Sequence, residues 1–132
     1  IATNGTIAAA IREADANYLL AVKANQPTLQ AEIEACFAVA EPGCVDTHVD
    51  HNKGHGRIEQ RSVSVIREVD WLNGERRFPG ELRLPDAACI VRVNARIQRG
   101  EKLHEETRCY ISSAPLTAEQ AGAAVRARAL GD

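Results

Sequence analysis

Apolar positions recur along this chain with changing period, and each period predicts an element. In the stretch 6–14, Ile7 and Ile11 stand four residues apart among alanines, with Asn4 or Thr6 available as a cap, which predicts a short helix. Tyr18-Leu19-Leu20-Ala21-Val22 is a continuous apolar run. Such a run suits a strand buried on both faces, in a parallel or central position of a layered sheet. The segment Lys23-Ala24-Asn25-Gln26-Pro27 ends it, and Pro27 sits where its missing N–H costs nothing, in the first turn of a helix. Leu29, Ile33, Cys36, Phe37 and Ala40 then share one helical face, so the second helix is expected to run to about Val39 and to close at Pro42-Gly43.

Beyond Gly43 the period falls to two. Val45, Thr47 and Val49 alternate with Asp46, His48 and Asp50, which predicts a half-exposed strand. Asn52 to Gly56 reads as a turn, and Arg57 to Ile66 as a partner strand whose alternation falters near Ser62, the signature of a bulge. Cys89, Val91, Val93, Ala95 and Ile97 alternate with Ile90, Arg92, Asn94, Arg96 and Gln98, and Arg99-Gly100-Glu101 leads into a strand from Leu103 to Ser112. Thr117 with Gln120 forms a capping box ahead of an alanine-rich helix that reaches Leu130. Helix, buried strand, helix, antiparallel strands and helix together indicate an α/β core interrupted by a β-rich insertion of antiparallel hairpins.

Composition narrows the class. The 132 residues suffice for one compact domain, and 16 Lys plus Arg against 18 Asp plus Glu leave a net charge of -2. That balance argues against a polybasic, histone-like partner for the whole chain, and any nucleic-acid contact must come from a local patch. No apolar stretch approaches the roughly 20 residues that span a bilayer, and the beginning lacks a basic region followed by an apolar core, so the chain reads as soluble and cytoplasmic. It contains no methionine and begins at Ile1, which predicts a fragment of a longer reading frame. The four cysteines include no C-x-x-C pair. Cys36, Cys89 and Cys109 fall on apolar faces, as buried free thiols do.

Several side chains invite chemistry. Cys44, His48, His51 and His55 have ligand types that suit zinc, but on a strand His48 and His51 point to opposite faces, and Lys53 and Arg57 add positive charge beside the metal. Lys53, His55 and Arg57 around Gly54 and Gly56 suit a phosphate contact, because glycine lets the backbone approach an anion; a polar hairpin tip is the plainer alternative. Lys23, Asn25 and Gln26 occupy the strand-to-helix edge where open α/β sheets bind ligands, or else simply a capped helix start. Trp71, the single tryptophan, is read as a core anchor in preference to a base-stacking surface. Glu105 and Glu106 are adjacent on a strand and face apart, so they cannot act as a general acid/base pair. No catalytic triad, phosphate-binding Gly-Lys loop or dinucleotide fingerprint is present in the sequence.

Three stretches taken together carry a resemblance: Tyr18 to Pro27 (YLLAVKANQP), Lys53 to Arg61 (KGHGRIEQR) and Glu106 to Ser113 (ETRCYISS). In that order and at that spacing they resemble the H-repeat-associated transposases of ISAs-type insertion sequences, a branch of the DDE transposases. The resemblance implies a ribonuclease-H-like core and cleavage and strand transfer of DNA, with two magnesium or manganese ions held by Asp, Asp and Glu. It assigns residues 1–42 to the core, 43–114 to the β insertion lying against the DNA end, and 115–132 to the start of the helix that carries the Glu. DNA is the implied partner, through Lys23, Asn25, Gln26, Lys53, His55, Arg57, Arg61 and Arg108, and a homodimer is a second. The family's Asp residues lie upstream of the region matching Ile1, and its Glu follows a Val-Arg-x-His-Trp segment. Here Val125-Arg126 is followed by Ala127 to Asp132, which departs from that segment. Asp132 falls at the Glu's register without its context, so the chain by itself is expected to be catalytically silent, with no catalytic or metal-binding residue of its own. The alternative from the residues alone is a stand-alone β-rich nucleic-acid-binding module, and a structural remnant without binding is a third reading.

A frameshift would account for the departure. Arg128 to Asp132 can be written CGC GCA CTG GGG GAT, and reading one base later gives Ala-His-Trp-Gly, the family's continuation. The locus sequence tests this, since the shifted frame should continue into Ile-Glu-Asn or a close variant.

Overall fold

The computed structural model describes the backbone of residues 5–22, 26–73 and 83–131. The chain is an α/β protein with one five-stranded sheet and three helices. Helix α1 (Gly5–Glu13) leads to strand β1 (Leu19–Val22) and helix α2 (Pro27–Val39). A 3-10 turn at Pro42–Cys44 introduces β2 (Val45–Gly54) and β3 (Arg57–Ile66), and a second at Asp70–Leu72 precedes β4 (Cys89–Arg99), β5 (Lys102–Ser112) and helix α3 (Ala118–Gly131). Strand order is β1-β5-β4-β3-β2, and every pairing is antiparallel.

Side-chain alternation splits this sheet into two packed faces. On one, Leu20, Ile66, Ile90 and Ile111 pack with Ala8 of α1 and with Leu29, Ile33 and Phe37 of α2. On the other, Val63, Val65, Val91, Val93 and Tyr110 pack with Ala118, Ala121 and Val125 of α3. A side chain at Gly122 would meet Val63 Cγ2 at 3.3 Å, so the glycine lets α3 lie close on the sheet. The capping box forms as expected: Gln120 N donates to Thr117 Oγ1 at 3.1 Å, and Thr117 N donates to Gln120 Oε1 at 3.0 Å. The sheet adds a third acceptor at this helix start, Asp46 Oδ2, which takes the Ala118 N–H at 2.7 Å.

Three expectations about the strands require correction. Strand β1 is antiparallel and terminal among the described residues, not parallel or central. Its continuous apolar run has another cause: Leu20 and Val22 pack toward α1 and α2, while Leu19 and Ala21 pack toward α3, so both faces are covered at the sheet margin. No bulge occurs at Ser62, because the register is unbroken from Val45↔Ile66 to Gly54↔Arg57 and from Ile66↔Ile90 to Arg57↔Arg99. Alternation falters there because Ser62 and Ser64 lie on the α2 side, beyond the fully buried rows. The turn expected over Asn52 to Gly56 shrinks to His55 and Gly56, whose φ values of 53° and 74° are those a two-residue hairpin loop demands.

All four cysteines are free; Cys89 and Cys109 are buried, and Cys36 and Cys44 half-buried. Trp71 packs against the α1/α2 core with the Arg83 guanidinium 5.8 Å above its ring, in keeping with an anchoring role. Among the described residues no helix is long and apolar enough to cross a membrane.

Candidate nucleic-acid interface

The strands extend well beyond the helices, and their register decides where each candidate cation points. Arg57, Arg61 and Arg108 all project from the α3 side of the sheet, whereas Lys53 projects from the α2 side and His55 occupies the turn. Lys23 and Asn25 lie outside the described residues, and Gln26 precedes α2, half-buried. The sheet thus gathers the arginines of the expected set and separates them from Lys53.

Arg61 and Arg108 come together with a residue the sequence did not single out. They flank a groove of about 250 Å³ with Arg126 of α3, over a floor of Val93, Ala95 and Tyr110. Arg126 escapes a reading of local pattern because only the docking of α3 brings it to the strands. The arginine side chains keep 30%, 67% and 52% of their surface, in the order Arg61, Arg108, Arg126, so an anion can reach them. The Nε of Arg61 is buried in this groove without a hydrogen-bond partner among the described residues.

Carboxylates thread between these cations. Glu59 lies 3.1 Å from Arg57 and 3.5 Å from Arg61, and Glu106 is 3.5 Å from both Arg108 and His104. Asp50 is 3.3 Å from Arg126 and 3.2 Å from His48. The exposed pairs among these, Arg108 with Glu106 and Arg126 with Asp50, are worth only about 0–1 kcal/mol, so exchanging those carboxylates for another anion costs little, whereas the Glu59 side chain is only 12% exposed and holds Arg57 and Arg61 more firmly.

These same pairings bear on metals. A divalent-metal cage needs oxygens free to converge, and Asp46, Asp50, Glu59 and Glu106 on this face are each engaged by a cation or by a helix N–H. Among the described residues no group of three or more His, Cys, Asp or Glu side chains is placed to hold a metal. The residues described here therefore do not fit the two-ion site that the resemblance implies, and Asp132 lies outside them. His48 and His51 project to opposite faces, and Cys44 Sγ sits 3.8 Å from Glu68, which takes the C-x3-H-x2-H-x3-H pattern apart. Glu105 and Glu106 also diverge, the first toward Asn94 and Arg96 and the second toward Arg108.

No family model matches the chain, and no solved structure matches it. A protein of Xanthobacter autotrophicus described as "Uncharacterized protein in dhlA 3'region" is 31% identical over 112 residues, 81% of this chain. The match covers 35% of that protein, so the chain spans about a third of its length.

Proposed function

We propose that this chain is part of a DDE transposase, contributing a segment of its ribonuclease-H-like core and a β insertion that holds DNA, while the full-length protein cleaves and joins insertion-sequence ends. The family assignment rests on the three motif stretches and their order. The DNA-holding role rests on one geometric observation, the convergence of Arg61, Arg108 and Arg126 on a single exposed groove. With a net charge of -2, the chain would hold DNA by this local face and not by bulk attraction. A second reading, a β-rich nucleic-acid-binding module without catalysis, is favoured by the enclosure of both sheet faces by the chain's own helices, and it would use the same groove.

Fluorescence anisotropy with a labelled duplex tests the binding role. Binding is expected to be weak, independent of sequence and steeply weakened by salt. Arg61→Ala combined with Arg108→Ala should weaken it about tenfold and reduce the salt slope by about two, one for each lost phosphate contact. Affinity that ignores salt, or that survives the paired change, overturns the reading. The same preparation should neither nick nor join DNA in magnesium or manganese. The parent gene separates the two readings: a strand-terminal Asp encoded upstream of Ile1 supports the transposase, and a start codon abutting Ile1 supports the module.

A further inference from the structure

Strand β2 forms one margin of the sheet. Among the described residues only β3 pairs with it, so its outer edge is open along all 10 residues from Val45 to Gly54. Proteins blunt such edges by keeping them short, by bulges, by proline or by lysine. Strand β2 is long, its register is unbroken, it has no proline, and its one lysine, Lys53, stands next to its end. The hairpin loop decides which groups this edge offers. Residues flanking a two-residue loop bond each other, so Gly54 bonds Arg57, and Asn52, Asp50, His48 and Asp46 bond β3 on the alternate rungs that follow. Val45, Thr47, Val49, His51 and Lys53 therefore turn their N–H and C=O groups outward, with their side chains on the α2 side. Val49, at the middle of this edge, keeps 43% of its surface and lies outside the core cluster that α2 covers.

We propose that two copies of this chain pair through β2, antiparallel about a two-fold axis at Val49, and so join two five-stranded sheets into one. In this register Val49 stands opposite Val49, Thr47 opposite His51, and Val45 opposite the aliphatic stem of Lys53. On the α3 side His48 stands opposite Asp50, and Asp46 opposite Asn52. Every pair is complementary, apolar with apolar or carboxylate with a hydrogen-bond donor. The His48 and Asp50 side chains are 37% and 42% exposed, so each can meet its counterpart in the second copy. Neighbouring registers lack this match. An axis at Asp50 sets that carboxylate against its own copy, an axis at His48 sets Asp46 against Asp50, and larger shifts shorten the ladder. Because the interface is the same surface on both copies, it closes at a dimer. The nucleic-acid reading above is not needed for it.

Sedimentation equilibrium on the intact chain is the test. The buried area of an edge-to-edge contact is small, so a dimer should appear at micromolar concentration. Val49→Pro should weaken it about tenfold or more, because the lost N–H points away from β3 and the hairpin's own ladder stays intact. His48→Asp places like charges opposite each other twice and should also weaken it about tenfold, while His48→Asp combined with Asp50→His restores the pairing and should recover the affinity. In the unaltered protein, the Thr47, Val49 and His51 amides should gain protection from solvent exchange as concentration rises, whereas those of His48 and Asp50 are protected throughout. That readout needs no variant to fold. A monomer at millimolar concentration, a dimer indifferent to Val49→Pro, assembly that grows past the dimer, or failure of the exchanged pair to recover what His48→Asp loses would each overturn the proposal.

Discussion

Replacing Ile90 with alanine is expected to destabilise the protein by about 2–5 kcal/mol, the range for removing a large buried aliphatic side chain. Ile90 is fully buried, and the register flanks it with Ile66 on β3 and Ile111 on β5, themselves 2% and 0% exposed. Ile33 of α2, also without exposed surface, belongs to the same cluster. The hole left by the substitution would be bounded laterally by two hydrogen-bonded strands, which cannot close inward without breaking the ladder. The cost should therefore fall in the upper half of the range. Urea unfolding is the measurement, with the midpoint lowered and the slope unchanged. A loss below about 1 kcal/mol would mean that α2 is not seated on the sheet at this row. Val49→Ala, at a side chain 43% exposed, should change little and serves as the comparison.

Elements were legible where a local signal fixed both the type and the boundary. Pro27 at the first helical position and Val39 before Pro42-Gly43 gave α2 its observed limits, and the Thr117/Gln120 box placed the start of α3. Alternation gave β4, whose α3-facing side is buried from Cys89 to Ala95, and the Arg99-Gly100-Glu101 turn led on to β5, whose buried residues form the consecutive run Cys109 to Ser112. What failed was information that depends on neighbours. A continuous apolar run states that both faces are covered, and it does not say whether strands or a sheet margin lie alongside, so β1 was misplaced. The faltering at Ser62 arose from the limited reach of α2 across the sheet, which no window of local sequence contains.

The candidate site was legible to a smaller degree. Clustering along the chain identified Lys53, His55, Arg57 and Arg61, yet sheet geometry divides that cluster between the two faces and the turn. The residues that complete each cationic group come from distant positions: Arg126 joins Arg61 through helix docking, and Arg99 and Lys102 join Arg57 through strand pairing. Charge spacing on one strand cannot reveal a row of charges that runs across three strands. The motif resemblance, by contrast, uses order along the chain alone and places no side chain.

Stability is expected to fall steeply in mild alkali, for a reason that lies in two buried acids. Burial raises the Cys109 thiol from 9.0 to about 12, with the Glu34 carboxylate beside it adding to the rise. Burial likewise raises Tyr18 from 10.0 to about 12, helped by Asp86. Both groups are neutral when protonated, and each is only 3% exposed, so the folded state retains these protons more tightly than the unfolded chain does. Their contribution is complete below the unfolded values. It is lost as pH climbs, from about 9 for Cys109 and about 10 for Tyr18, through the folded value near 12. Each unit between folded and unfolded pKa corresponds to about 1.4 kcal/mol, so the two together should remove several kcal/mol across this window. The check is urea unfolding at intervals from about pH 8 to about pH 11, set against Cys109→Ala with Tyr18→Phe. That variant loses the 2.7 Å hydrogen bond from the Tyr18 hydroxyl to the Pro85 carbonyl oxygen and should start about 1 kcal/mol or more lower. Its decline with pH should nevertheless be markedly shallower, because the two protons are gone from both states. The slope is thus the decisive quantity: parallel declines in the two proteins would show that neither acid is buried as the fold requires.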